Sequence, residues 1–177
     1  MRFLPTALAD VVRIETEPHH DARGLFARLF CPRAWEAAGL PHFAPVQMNL
    51  SRNPTALTLR GLHLQDPPYA EAKLVRVTRG RIFDVALDLR TESPSFRCWT
   101  GVELDAVGMG ALFIPEGCAH GFLTLEPDTD VLYLMGRLHV PGQGRGVRWN
   151  DPAFDIDWPH RPAVIDARDA SWPDWSA

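Results

Sequence analysis

The amino-acid sequence predicts an all-β fold, a sandwich or barrel of short strands. Its 16 prolines and 13 glycines punctuate the chain about every ten residues. The intervals between them are short and rich in Val, Leu, Ile and Phe, which is the composition of strands separated by turns. Only one interval reads as a helix. After Pro32, the segment Arg33-Ala34-Trp35-Glu36-Ala37-Ala38 holds good helix formers, and Gly39 supplies a stop.

The strands follow in order. Leu57 to Leu62 is an apolar run, and Leu64 to Ala72 reads as a loop stiffened by Asp66-Pro67-Pro68. Lys73 to Thr78 alternates side-chain type, Arg79-Gly80 turns the chain, and Arg81 to Leu89 continues apolar, so these two strands are expected to pair as a hairpin. Trp99 to Leu104, Ala111 to Ile114 and Val131 to Leu138 complete the set. From Trp149 onward the chain holds four of its six tryptophans together with Asp151-Pro152, Trp158-Pro159 and Trp172-Pro173. Proline removes donors and restricts the residue before it, so this tail is no regular strand or long helix. Its large rings still need cover, and it is expected to pack back over the barrel or a neighbouring subunit.

Composition bounds the function. A chain of 177 residues, 46% hydrophobic and 23% charged, is expected to form one domain over 1–177. A net charge of -4 argues against a broad basic face for nucleic acid and leaves room for a small basic pocket. No apolar run reaches the roughly 18 residues of a membrane span, and Met1 to Asp10 lacks the order of a signal peptide, so a cytoplasmic protein is expected. Cys31, Cys98 and Cys118 are too widely spaced for a paired motif and are expected to stay reduced. Two tyrosines, Tyr69 and Tyr133, are the only phenols.

Several polar residues sit where strands should be apolar. Arg60 and His63 end an apolar run; a regular strand would place them on opposite faces, but Gly61 permits a bulge that aims both inward. Lys73 opens a strand, Asp84 and Asp88 interrupt another, and Pro115-Glu116-Gly117-Cys118-Ala119-His120 carries a second histidine into a strand. One reading is a metal site made of His63, Gln65, Glu71 and His120, as in metal-binding cupin oxygenases, although Gln replaces imidazole poorly as a ligand. The other is proton transfer, with His63 as base, Lys73 as a fixed cation for an oxyanion, Tyr133 as acid, and Asp169 orienting His63.

Taken together the motifs resemble the dTDP-4-dehydrorhamnose 3,5-epimerase family, a metal-independent branch of the cupins. The resemblance runs through Asp21-x-Arg23-Gly24-x-Phe26, Gln47-x-Asn49-x-Ser51, Leu59-Arg60-Gly61-Leu62-His63-x-Gln65 and Ala72-Lys73-Leu74-Val75-Arg76-Val77. It continues through Asp84-Val85-Ala86-x-Asp88-Leu89-Arg90, Ile114-Pro115-x-Gly117-x-Ala119-His120-Gly121-Phe122 and Arg148-Trp149-Asn150-Asp151-Pro152. The resemblance implies a cupin-type jelly-roll β-barrel with a few short helices, a homodimer, no cofactor and no metal. The implied substrate is a nucleotide-diphospho-4-keto-6-deoxyhexose, inverted at C3, at C5 or at both; a single-centre epimerase on another nucleotide-sugar is the alternative. By the same resemblance His63 is the base oriented by Asp169, and Tyr133 is the acid. Lys73 and His120 lie by the sugar, and Arg23 and Arg60 hold the diphosphate. Phe26, Gln47, Met48, Asn49 and Arg168 complete the substrate contacts. The chain departs from the pattern at Arg28 and Gly144, which replace acidic residues, at Cys118, which replaces Phe, and over Leu134 to His139, where the pattern is richer in aromatics.

Overall fold

The computed structural model describes residues 1–176. The N-terminal quarter supplies β1 (Arg2–Pro5), β2 (Val12–Glu15), β3 (His19–Asp21), β4 (Gly24–Phe26) and α1 (Pro32–Ala37). β5 (Gln47–Asn53), β6 (Thr58–Gln65), β7 (Lys73–Arg79), β8 (Arg81–Asp88) and β9 (Trp99–Asp105) follow, then β10 (Ala111–Ile114), β11 (Cys118–Thr124) and β12 (Thr129–Met135). β13 (Gly144–Gly146), β14 (Val164–Ile165) and α2 (Ala167–Ala170) lie in the tail. One sheet has the order β1-β2-β10-β7-β12-β5 and the facing sheet β13-β6-β11-β8-β9, with β14 alongside β6. This is a jelly-roll sandwich, as the strand spacing and the resemblance both predict.

Period-two alternation distributes each strand between three apolar layers. Val75 and Val77 of β7, Ile82 and Ala86 of β8, Phe122 of β11 and Val131 of β12 fill the space between the sheets. Leu74 and Phe113 face the other way, where Trp35 of α1 and Phe43 cover them. Val85, Leu87, Leu62 and Ala119 face the outside of the second sheet, under Trp149, Trp158 and Trp175 of the tail. The expected cover for the tail's rings is therefore its own barrel. The Trp158 indole N–H donates to the Trp149 carbonyl at 2.8 Å, which pairs the one polar atom of that ring.

The hairpin expected at Arg79-Gly80 does not form. β7 pairs with β10 and β12, and β8 pairs with β11 and β9, so Gly80 carries the chain from one sheet to the other. Both strands are buried on both faces over most of their length, and alternation alone does not say which neighbour each takes. Gly80 has φ +77°, and a Cβ there would lie 2.3 Å from Thr129 Oγ1. The Leu57–Leu62 strand runs on to Gln65, placing His63 and Gln65 inside it. The strand expected to reach Leu138 stops at Met135.

The bulge at Gly61 is present. His63 stands opposite His120 and Arg60 opposite Phe122, so three steps on β6 match two on β11. Directly opposed residues share a face, and Arg60 and His63 therefore both turn toward the interior.

Candidate active site

The polar residues on the inner faces meet at one end of the sandwich around a cavity of about 620 Å³. Periodicity places them there. Lys73 is in phase with Val75 and Val77, Asp84 with Ile82 and Ala86, His120 with Phe122, and Tyr133 with Val131. His63, Lys73, His120, Tyr133, Asp169, Arg60, Asn49 and Arg168 all line the cavity.

His63 and Asp169 meet across 106 residues of sequence, with Nε2 and Oδ1 2.6 Å apart. The second carboxylate oxygen accepts the Gly61 N–H at 2.9 Å. Burial pushes the Asp169 carboxyl up, but its bonds from His63 and Gly61 outweigh burial and leave it below the ordinary carboxylate range. A charged, buried carboxylate thus holds one imidazole nitrogen and leaves the other for the cavity. α2 presents Asp169, and the Asp166 side chain caps that helix by accepting the Arg168 N–H at 2.9 Å.

A second His–Asp pair stands beside the first. His120 Nε2 lies 2.7 Å from Asp84 Oδ1, and both residues are buried. Asp84 Oδ2 has no partner among the described residues. The Tyr133 ring meets His120 edge-on, with centroids 5.8 Å apart. Burial first, and the Asp84 charge second, push the Tyr133 phenol above its ordinary pKa.

The Lys73 ammonium donates to the His63 carbonyl at 2.8 Å and pairs with Glu71 Oε1 at 3.1 Å. Glu71 Oε2 accepts the Gln65 amide at 2.6 Å, and that amide also donates to the Tyr69 carbonyl. The four side chains of the metal reading are thus committed elsewhere: His63 to Asp169, His120 to Asp84, Gln65 to Glu71, and Glu71 to Lys73. Among the described residues no three His, Cys, Asp or Glu side chains converge as a metal site.

Arg60 reaches the cavity rim with its Nε donating to Asn53 Oδ1 at 2.8 Å. Asn53, which sequence reasoning missed, is buried and donates to the Thr129 carbonyl at 3.1 Å. Arg168 stacks over Trp172 at 5.0 Å. Arg145 and His139 also line the cavity and were missed; Arg145 pairs with Asp66 at 2.8 Å and stacks over Trp175 at 5.2 Å. They fall in segments with no strand pattern, so no periodicity could aim them.

Four expected contacts lie outside this cavity. Arg23 and Phe26 sit on the β3–β4 hairpin, where Arg23 pairs with Asp21 and Phe26 is 80% exposed. On β5, Asn49 faces inward opposite Tyr133, so Met48 faces out and is 65% exposed. Gln47 accepts the His139 N–H at 3.1 Å and donates to Asn49 at 3.0 Å, which makes it a support of the rim. Of the departures, Gly144 lines the cavity with nothing closer than 3.9 Å to a Cβ placed there, and Arg28 borders a separate cavity of about 310 Å³ beside Phe26.

The family model described as dTDP-4-dehydrorhamnose 3,5-epimerase matches residues 5–177. A dTDP-4-dehydrorhamnose 3,5-epimerase of Sinorhizobium fredii is 38% identical over 174 residues, covering 98% of this chain and 89% of that protein. A dTDP-4-dehydrorhamnose 3-epimerase of Streptomyces niveus is 36% identical over 170 residues, covering 96% of this chain and 81% of that protein. The crystal structure of the Bacillus anthracis dTDP-4-dehydrorhamnose 3,5-epimerase with TDP and PPi bound superposes with a TM-score of 0.94 at 36% identity, covering 98% of this chain and 99% of that one. A full-length match in sequence and in fold, on a chain whose inward polar residues form one site, means that the protein belongs to the dTDP-4-dehydrorhamnose 3,5-epimerase family.

Proposed function

We propose that this enzyme epimerises a nucleotide-diphospho-4-keto-6-deoxyhexose at the carbons flanking its ketone, C3 and C5. One observation carries the mechanism: His63 projects from β6 of one sheet and Tyr133 from β12 of the other. A sugar ring lying between the sheets has a base on one face and an acid on the other. The C4 ketone acidifies the neighbouring C–H bonds, so His63 removes a proton and leaves an enolate with its charge on O4. Asp169 steadies the imidazolium that forms. Lys73 and His120, both buried, lie where they stabilise the oxyanion. The Tyr133 phenol, kept protonated by its burial, returns a proton from the opposite face and inverts the centre. No hydride moves, and the nucleotide bond stays intact. Arg60 and Arg168 at the rim suit a diphosphate, which a guanidinium binds through paired, charge-assisted hydrogen bonds.

The same reading gives Arg23, Phe26 and Met48 a role through a homodimer. β5 is a sheet edge, with Val46, Met48 and Leu50 each more than half exposed, and Leu25 and Phe26 of the hairpin are exposed as well. An unpaired apolar edge invites a second chain. The hairpin then serves the cavity of its partner.

Epimerisation of the nucleotide-linked 4-keto sugar in D2O, followed by NMR, tests the reaction and counts its centres. Deuterium at C3 and C5 with two inversions is the expected result, and deuterium at C3 alone matches the 3-epimerase of Streptomyces niveus in outcome. His63→Ala is expected to abolish exchange; full exchange in that variant would sink the assignment of the base.

A further inference from the structure

Lys73 is the only lysine in the chain, which otherwise carries 17 arginines. Its side chain is 6% exposed, and that of Glu71, its partner at 3.1 Å, is 5% exposed. An ammonium in such a place keeps its proton only if a nearby charge offsets its lost hydration. Glu71 is also held on its far side. The Gln65 amide donates to it at 2.6 Å, while the Gln65 carbonyl oxygen accepts the Val140 N–H at 2.9 Å. Gln65 thus ties the carboxylate to the segment that follows β12 at the cavity rim.

We propose that Glu71 is a positioning residue, which acts through Lys73 by fixing both the place and the charge of the ammonium that faces the cavity. This rests on the reading that Lys73 stabilises an enolate. The other groups around Lys73 do not replace Glu71. Asp84 of β8, bonded to His120 of β11 through one oxygen, supports the ammonium less than Glu71 does and makes no hydrogen bond to it, and Tyr133 of β12 is a phenol held protonated by burial. Cys118 of β11 is pushed up to about 12 by its burial, so it is a neutral thiol over the working range. His63 of β6 offers Lys73 only its carbonyl. Burial drives the Lys73 pKa down, and Glu71 is the largest of the groups opposing that fall.

The sign follows from this balance. Removing the carboxylate leaves burial less opposed, the ammonium loses its proton at lower pH, and the basic limb of the pH–rate profile moves toward neutrality. An opposite charge at this distance is worth about 1–3 pH units. A single lysine makes the test direct, since protein carrying 13C,15N-lysine gives one side-chain signal. The Lys73 titration midpoint is read by NMR in wild type, Glu71→Gln and Glu71→Asp, and the pH dependence of kcat/KM is measured for each. The expected result is a midpoint lower by about one pH unit or more in Glu71→Gln, a basic limb that moves with it, and partial recovery of both in Glu71→Asp. Coincident midpoints in wild type and Glu71→Gln would overturn the proposal, and so would a midpoint that falls while the limb stays in place. The NMR titration needs no substrate. A wild-type chain that fails to epimerise therefore refutes the functional reading alone, and the midpoints still decide the part played by Glu71.

Discussion

Tyr133 carries the sharpest expectation at the scale of one residue. Tyr133→Phe removes a single oxygen from a ring that packs against the inter-sheet core, so the fold should persist. Deprotonation by His63 should persist too, while delivery of a proton to the opposite face is lost. NMR in D2O should show solvent exchange with retention and inversion slowed by about 10²-fold or more; undiminished inversion would make Tyr133 a core aromatic only. Among single residues the sequence was readable where chemistry alone identifies them. Two phenols, one on a strand, left Tyr133 as the candidate acid. The partnership of His63 with Asp169 was not readable from spacing, because Asp169 arrives on a four-residue helix in an irregular tail. Asn53 went unread, and Glu71 was read only as a candidate metal ligand, for a different reason. Each is a polar residue whose partner, Arg60 or Lys73, becomes known only once the strands are folded together.

The element that makes the site is the bulge in β6. Gly61 has φ +110°, and a Cβ there would lie 2.6 Å from both the Gly121 Cα and the His120 carbonyl oxygen, backbone atoms that have no room to yield. Gly61→Ala should therefore push β6 away from β11, cost about 2–4 kcal/mol in urea unfolding, and remove most activity by parting Arg60 and His63 from the common face. Unchanged stability together with full turnover would show that the bulge is incidental. Here the sequence was informative, since a glycine between an arginine and a histidine at the end of an apolar run signals a break in alternation. At Arg79-Gly80 the same kind of signal misled. A glycine turn between two apolar strands reads as a hairpin, yet each of these strands is buried on both faces and finds its partners elsewhere. The turn fixes a change of direction and leaves the pairing to the rest of the barrel.

For the whole molecule, the proposed homodimer makes each site from two chains. Met48→Glu with Leu50→Glu places charges on the exposed edge of β5 and should yield monomers by sedimentation, with turnover falling as Arg23 and Phe26 leave the neighbouring cavity. Mixing Arg23→Ala with His63→Ala, each nearly inactive alone, should restore activity through mixed dimers. A wild-type monomer, or a mixture that stays inactive, would place the hairpin outside the site. Among the described residues no helix is long and apolar enough to cross a membrane.

By itself the sequence determined the class of fold and the inventory of chemistry: short strands from proline and glycine punctuation, inward polar residues out of place on apolar strands, and candidates for a base, an acid and a cation. These are local properties, carried by composition and by a period of two residues, and they survive without knowledge of neighbours. Only the tertiary structure decided which strands pair, which of the expected contacts share one cavity, and which groups hold His63 and Lys73 in place. Those outcomes depend on contacts between residues far apart in the chain. The link from Asp169 to His63, the crossing at Gly80 and the clamp of Gln65 on Glu71 all arise from the closing of two sheets on one core, which no local pattern encodes.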